Sequence, residues 1–308
     1  MNGIVIKTTG KYYTVKTDTN EILQCRLKGI FRISDIKSTN PIVVGDKVRV
    51  EQESDSWMIV KIQERRNHLL RRSVKLSKET HIIAANIDQA ILMITLDSPI
   101  TTTGFIDRFL VAANAYDVAV VLLFNKTDLL NEGQKFEQEN LRKVYEKIGY
   151  QCFAFSVIND NLSSVKHLMH GKVNIISGHS GVGKSTFINK LQPNLNINTK
   201  EVSETHKQGQ HTTTFSQLYD LDFGASIIDT PGIRGFGLVT LEQTEIGNYF
   251  PEFFALKSAC KFHNCMHKDE PHCMVKIKLK IGEIAKSRYK NYLNMLVEEG
   301  DHFRTNNY

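Results

Sequence analysis

No apolar run in this 308-residue chain approaches the roughly 20 residues that a membrane-spanning helix needs; the stretch 118–124 is as long as any. The opening MNGIVIKTTGK lacks the layout of a secretory signal, so a cytoplasmic protein with no membrane partner is expected. Cysteine is scarce, at five residues, and uneven: three crowd between positions 260 and 273, while Cys25 and Cys152 sit singly in strand-like runs. An odd count without an export signal argues against a disulfide framework and for a metal site plus buried thiols. Internal repeats and low-complexity tracts are absent as well. Charge is not one-sided: 39 Lys and Arg against 33 Asp and Glu leave +6, with a pI near 8.9. That mild excess suits an RNA-facing protein without requiring one.

What is present is ordinary in bulk, 41% hydrophobic and 23% charged, and long enough for two or three domains with a substantial core. The organising stretch is 173–191: a buried strand, a glycine-rich turn, then a helix expected to begin near Thr186. Within it Gly178, His179, Ser180, Gly181, Val182, Gly183, Lys184 and Ser185 fit G-x-x-x-x-G-K-[ST]. The glycines let the backbone curl so that successive N–H groups face an anion. Lys184 would neutralise the β- and γ-phosphates and Ser185 would offer its hydroxyl to Mg²⁺. The helix would turn its positive end toward the phosphates.

Upstream, residues 1–66 alternate in five short period-2 runs, 4–6, 12–16, 22–27, 47–50 and 57–62, punctuated by Gly10, 18–20 and 45–46. An OB-type β-barrel is expected, a fold that commonly carries oligonucleotides, although a barrel used only for packing fits the same pattern. Lys7, Lys11, Lys16, Arg26, Lys28 and Arg32 make it basic; Tyr12, Tyr13 and Phe31 are either base-stacking rings or core. Residues 65–72, RRNHLLRR, read as a basic connector, solvated or in contact with an RNA backbone. Residues 67–238 then alternate strands (89–96, 118–124, 151–155) with helices (105–115, 136–148, 162–169), which implies a parallel sheet covered on both faces. A hairpin is expected over 214–229. The last part, 239–308, reads as helical, with an amphipathic helix at 283–298 whose Lys286, Arg288 and Lys290 form its wet face and a frayed end at 301–308.

Directly after strand 118–124 stands Asn125-Lys126-Thr127-Asp128, or N-K-x-D. A carboxylate at Asp128 can accept both N1–H and N2–H₂ of guanine, whereas adenine would leave it unpaired, so the pair of motifs selects GTP over ATP. Asn125 would tie this loop to the base and to the phosphate loop, with the Lys126 stem against the purine. At the next strand end the Ser156 and Val157 N–H groups are candidates to bond guanine O6. Farther on, Asp229-Thr230-Pro231-Gly232 is D-x-x-G, with Asp229 suited to Mg²⁺ through water and the Gly232 N–H to the γ-phosphate. Thr213, from the run 212–214, is the candidate to complete the Mg²⁺ shell. Cys260-x₄-Cys265-x-His267-x₅-Cys273 suits a structural tetrahedral Zn²⁺, with His263 and His272 as rival ligands.

Conventional small GTPases place the phosphate loop before the base motif; here the order is reversed, a circular permutation. With a barrel before it and a Cys/His cluster after it, the chain resembles the ribosome small-subunit-dependent GTPase A family (RsgA) over essentially its whole length. The resemblance favours His267 as the fourth ligand. It implies a late-acting GTPase of small-subunit assembly, stimulated by the subunit, whose barrel and zinc domain grip ribosomal RNA, and a monomer is expected. Permutation also moves the exit from the GTPase domain to near 234–237, so that movement there would pull on the C-terminal domain. Ile233 stands where many GTPases carry a water-orienting glutamine, which implies slow intrinsic turnover. His211, with His206 second, is the candidate for that role unless it is only a loop histidine. Gln210 departs from the basic residue usual in the family. The competing reading is a GTP-regulated RNA-binding module in which hydrolysis is incidental; a small-molecule kinase fits N-K-T-D poorly.

Overall fold

A computed structural model describes residues 1–28, 41–72, 80–195, 216–229 and 241–297. The chain begins with β1 (Asn2–Thr8), β2 (Tyr13–Thr17), β3 (Ile22–Leu27), β4 (Lys47–Glu53) and β5 (Ser56–Ile62). They pair in the order β1-β2-β3-β5-β4, and an additional β1–β4 ladder closes the ring into a barrel. Because side chains alternate across a strand, Val5, Val15, Cys25, Val48, Val50 and Ile59 all point inward and form the barrel core. Tyr13 joins that core; its neighbour Tyr12 points out and is exposed.

The basic stretch after the barrel is not a solvated connector. Arg65 forks onto the buried Asp46 at 2.6 and 2.7 Å, Asn67 is buried and bonds the Ile87 backbone, and Leu69 has no exposure at all. Residues of this segment form β6 (His68–Arg72), which pairs antiparallel with β7 (Thr80–Ala85). A carboxylate with no solvent of its own needs a bidentate guanidinium, and Arg65 supplies it.

Next come β8 (Gln89–Ile94), α1 (Thr103–Ala115), β9 (Ala119–Phe124), α2 (Glu132–Lys147), β10 (Gln151–Ala154), α3 (Ser163–Met169), β11 (Val173–Ser177), α4 (Lys184–Leu191), β12 (Gln217–Asp220) and β13 (Ser226–Asp229). The sheet order is β10-β9-β8-β11-β13-β12, parallel except for β12. Among the described residues the register pair Lys7 opposite Gln217 continues it into the barrel. Strand β8 is buried on both faces: Ala90, Leu92 and Ile94 meet α1, while Ile91 and Met93 meet α3 and α4. That two-sided burial explains the apolar runs in the sequence. Helix α4 starts at Lys184, two residues before the expected Thr186.

The C-terminal part holds α5 (Gln243–Ile246), α6 (Pro251–Phe254), α7 (Met274–Lys280) and α8 (Lys286–Val297). Helix α8 packs on α1, and Phe250, Phe253 and Tyr292 fill the space around Val111 and Ala112. Of the expected wet face, Lys286 and Lys290 are exposed, but Arg288 is buried, and this is a correction with a clear cause. Its guanidinium binds Asp107 of α1 at 2.7 Å and Glu252 at 2.8 and 3.0 Å, and lies over the Phe250 ring. Burial works against that charge, yet Asp107 and Glu252 outweigh it and hold the pKa above the ordinary arginine value.

Candidate active site and metal centre

In an open parallel sheet the ligand crevice lies beyond the carboxyl ends of the strands, where the chain departs in opposite directions. Here those ends belong to β8, β9, β10 and β11, and they bring together Asn125, Ser156 and Gly178 from three separate loops.

The phosphate loop takes its shape from two glycines. Gly178 sits at φ 142, and a Cβ there would meet the Met93 carbonyl at 2.6 Å; Gly183 sits at φ 100, with Asn125 Nδ2 at 2.5 Å from its would-be Cβ. No other residue fits either position. Lys184 opens α4, and its Nζ is held by the carbonyls of Gly178 and His179 at 2.7 and 2.6 Å, across the mouth of the loop. Ser180, Gly181 and Thr186 are exposed, Ser185 is half-buried, and Val182 is buried beneath. The His179 ring packs on Phe105 of α1 with centroids 4.0 Å apart. Burial, and after it the Lys184 charge, lower the His179 pKa below the usual imidazole value.

Asn125, 2% exposed, links the three loops. Its Nδ2 donates to the Val182 carbonyl at 2.8 Å, and its Oδ1 accepts the Val157 N–H at 2.9 Å. Lys126 adopts the left-handed region at φ 64, which turns Thr127 and the exposed Asp128 outward on a single helical turn. The Ser156 and Val157 N–H groups, the candidates for guanine O6, each have a hydrogen-bond partner within the protein. Ser156 donates to Asp160 Oδ2 at 2.7 Å and Val157 to Asn125, so both are satisfied within the protein. Lys190 of α4 caps the same loop, donating to the carbonyls of Val157, Ile158 and Asp160 at 2.6 to 2.9 Å. Nothing in helical periodicity singles out Lys190, because its partners lie about thirty residues upstream.

His206, Gln210, His211, Thr213, Gly232 and Ile233 lie outside the described residues, as does the exit at 234–237, and so do Phe31, Arg32 and the chain end. Asp229 ends β13 on the same edge of the sheet; its side chain is likewise outside what is described.

The metal donors come together more fully. The Sγ atoms of Cys260, Cys265 and Cys273 and a ring nitrogen of His267 all lie within 4.8 Å of one another, and neither His263 nor His272 belongs to the group. His267 Nδ1 is 3.7 Å from Cys260 Sγ and 3.4 Å from Cys273 Sγ. A tetrahedral zinc with ordinary bond lengths requires ligand separations of roughly 3.5–3.8 Å, so the four can hold one Zn²⁺. Tyr289 and Tyr292 of α8 fix the knuckle by donating to the His267 and Met266 carbonyls at 2.7 and 2.5 Å. Burial pushes the Cys265 thiol up to about 12, so metal uptake must displace its proton. Replacing Cys265 by Ser is expected to abolish stoichiometric zinc, read by dye chelation after denaturation, and to cost the C-terminal part on the order of several kcal/mol. Retained stoichiometric metal would count against this donor set.

On the barrel, Lys16 is engaged with Asp220 of β12 at 2.7 Å and Lys28 with Glu53. Arg26 lies over the Tyr12 ring, 5.1 Å from its centroid, and donates to its hydroxyl.

Two family models match the chain: the RsgA N-terminal domain over residues 2–59 and the RsgA GTPase over 62–239. A protein of Flavobacterium johnsoniae named small ribosomal subunit biogenesis GTPase RsgA is 53% identical over 100% of this chain and 96% of its own length. One of Bacteroides fragilis with the same name is 46% identical over 97% of each. Among solved structures, YjeQ from Thermotoga maritima is 34% identical with a TM-score of 0.80, covering 96% of both chains. YloQ, described as a circularly permuted GTPase, is 29% identical with a TM-score of 0.75, covering 96% of this chain and 93% of its own. Among the described residues no helix is long and apolar enough to cross a membrane.

Proposed function

Since the chain belongs to the RsgA GTPase family, we propose that it is a GTPase of small-ribosomal-subunit assembly, slow alone and accelerated by the subunit. The observation that carries this reading is the Asn125 bridge. One buried amide joins the N-K-T-D loop, the phosphate loop and the 156–157 loop, so that a purine edge and a triphosphate can be held by one site. Asp128 reads N1–H and N2–H₂ of guanine. Lys126 lays its stem against the ring, while Ser156 and Val157 act by anchoring the base loop. The His179–Gly183 backbone cradles the phosphates, with Lys184 and the α4 N-terminus, Thr186 included, balancing their charge.

Ser185, Asp229 and Thr213 would hold Mg²⁺, which when bound would supply positive charge to offset that of the phosphates. Water attacks the γ-phosphorus, the bond to the β–γ bridging oxygen breaks, that oxygen leaves with the electron pair on GDP, and the water's protons go to the released phosphate and the solvent. His211 orients the water in place of the missing glutamine, and the Gly232 N–H meets the γ-phosphate. The working units are 1–66, 67–238 and 239–308, acting as a cytoplasmic monomer. RNA is met by the barrel, where the exposed Tyr12 and Arg26 offer a stacking surface, and by the zinc domain.

Single-turnover GTP hydrolysis, with and without purified small subunits, tests the whole reading. Acceleration by more than about tenfold, over 1.4 kcal/mol of barrier, is expected. Unchanged turnover with GTP-dependent subunit binding would instead establish a GTP-regulated RNA-binding module.

A further inference from the structure

The turn between β8 and α1 belongs to no motif, yet it bonds the N-K-T-D loop and lies beside the phosphate loop. Thr95 has no solvent exposure and Thr101 only 5%. The Thr95 hydroxyl donates to the Pro99 carbonyl at 2.5 Å, its N–H donates to Thr101 Oγ1 at 3.1 Å, and the Thr101 N–H returns to the Thr95 carbonyl at 2.8 Å. These three bonds close residues 95–101 into one rigid unit. Two groups reach out of it. The Ser98 carbonyl accepts from Lys126 Nζ at 2.5 Å, and the Pro99 ring lies 3.5 Å from where a Cβ on Gly181 would stand.

A lysine side chain has much rotamer freedom to lose, so a stem left loose must be ordered by the ligand. With its head bonded to the Ser98 carbonyl and its own carbonyl accepting the Leu129 N–H, the Lys126 side chain is held at both ends before a purine arrives. We infer that Thr95 and Thr101 are positioning residues for the guanine nucleotide. They hold the Ser98 carbonyl that anchors Lys126, and through Pro99 they buttress the phosphate loop at Gly181. Neither threonine touches the nucleotide. The inference rests on the guanine-nucleotide reading above and adds the residues that preorganise its base wall.

Thr101→Val keeps the shape and removes the acceptor for the Thr95 N–H. The expected result is a Kd for fluorescent GDP and for a non-hydrolysable GTP analogue raised by the same factor, about five- to thirtyfold. KM for GTP should rise with kcat unchanged, because the γ-phosphate is not involved. Thr101→Ser, which keeps the acceptor, should bind as the wild type does. Lys126→Met, which keeps the stem and cuts the anchor, should weaken binding by a similar factor, and adding Thr101→Val to it should then cost little. Wild-type affinity in either Thr101→Val or Lys126→Met overturns the inference, as do losses that multiply in the double variant. Failure of the unaltered protein to bind any guanine nucleotide overturns the underlying site instead.

Discussion

Gly183→Ala is expected to lose guanine-nucleotide affinity by roughly 10²-fold or more, through strain and a lost hydrogen bond worth about 3 kcal/mol together. At φ 100 any Cβ is strained, and this one would stand 2.5 Å from Asn125 Nδ2. A side-chain end can often swing away cheaply, but this amide cannot. It is 2% exposed and engaged on both sides, with Val182 and with Val157. Turning it leaves the Val157 N–H unpaired in the interior and detaches the base loop from the phosphate loop. The effect should therefore fall on guanine recognition and phosphate binding together. Titration with fluorescent GDP checks the result, with thermal unfolding of the nucleotide-free protein as the folding control. Unchanged affinity in a folded variant would mean that the two loops do not share a ligand.

Arg288→Ala should cost about 3–5 kcal/mol, the penalty for leaving buried partner charge uncompensated. Asp107 has no exposure and accepts from Tyr145 and Asn291 as well as from Arg288, at 2.8, 2.6 and 2.7 Å; Glu252 faces the same guanidinium. With the arginine removed, two carboxylates share an apolar pocket walled by Phe250. The loss should appear as faster hydrogen exchange in α1 and α8 together, because the cluster clamps one helix to the other, and as a lower melting temperature. Arg288→Lys should recover little, since one ammonium cannot fork onto Glu252 and still reach Asp107. Exchange unchanged in α1 would show that the clamp carries no stability between the two parts.

The buried arginine also shows where reading by residue type misleads. Arg288, Tyr292 and Leu296 are spaced one helical turn apart, so position 288 lies on the apolar stripe of α8, and all three are buried. Its charge suggested water. The partner that makes burial tolerable lies 181 residues away and cannot be inferred from local pattern. The connector at 65–72 misled for the same reason, because Asp46, which neutralises Arg65, comes from the barrel. The two N–H groups at 156 and 157 lie in a loop beside the N-K-T-D segment, but which acceptor takes each depends on Asp160 and Asn125 side-chain directions.

The sequence by itself determined the parts whose requirements are contiguous. Glycines at positive φ, a lysine opening a helix, an Asn-Lys-x-Asp run at a strand end, and three thiols with one imidazole within fourteen positions each encode their own local geometry. Period-2 alternation likewise encodes which strands are buried on one face, and unbroken apolar runs which are buried on two. Only the tertiary structure decided what joins those parts: the Asn125 amide across three loops, the threonine-closed turn under Lys126, and the Asp107–Arg288 clamp. Such contacts rest on buried polar groups finding partners far along the chain. Hydrogen-bond direction and desolvation select those partners after the backbone has folded, and no local spacing records them.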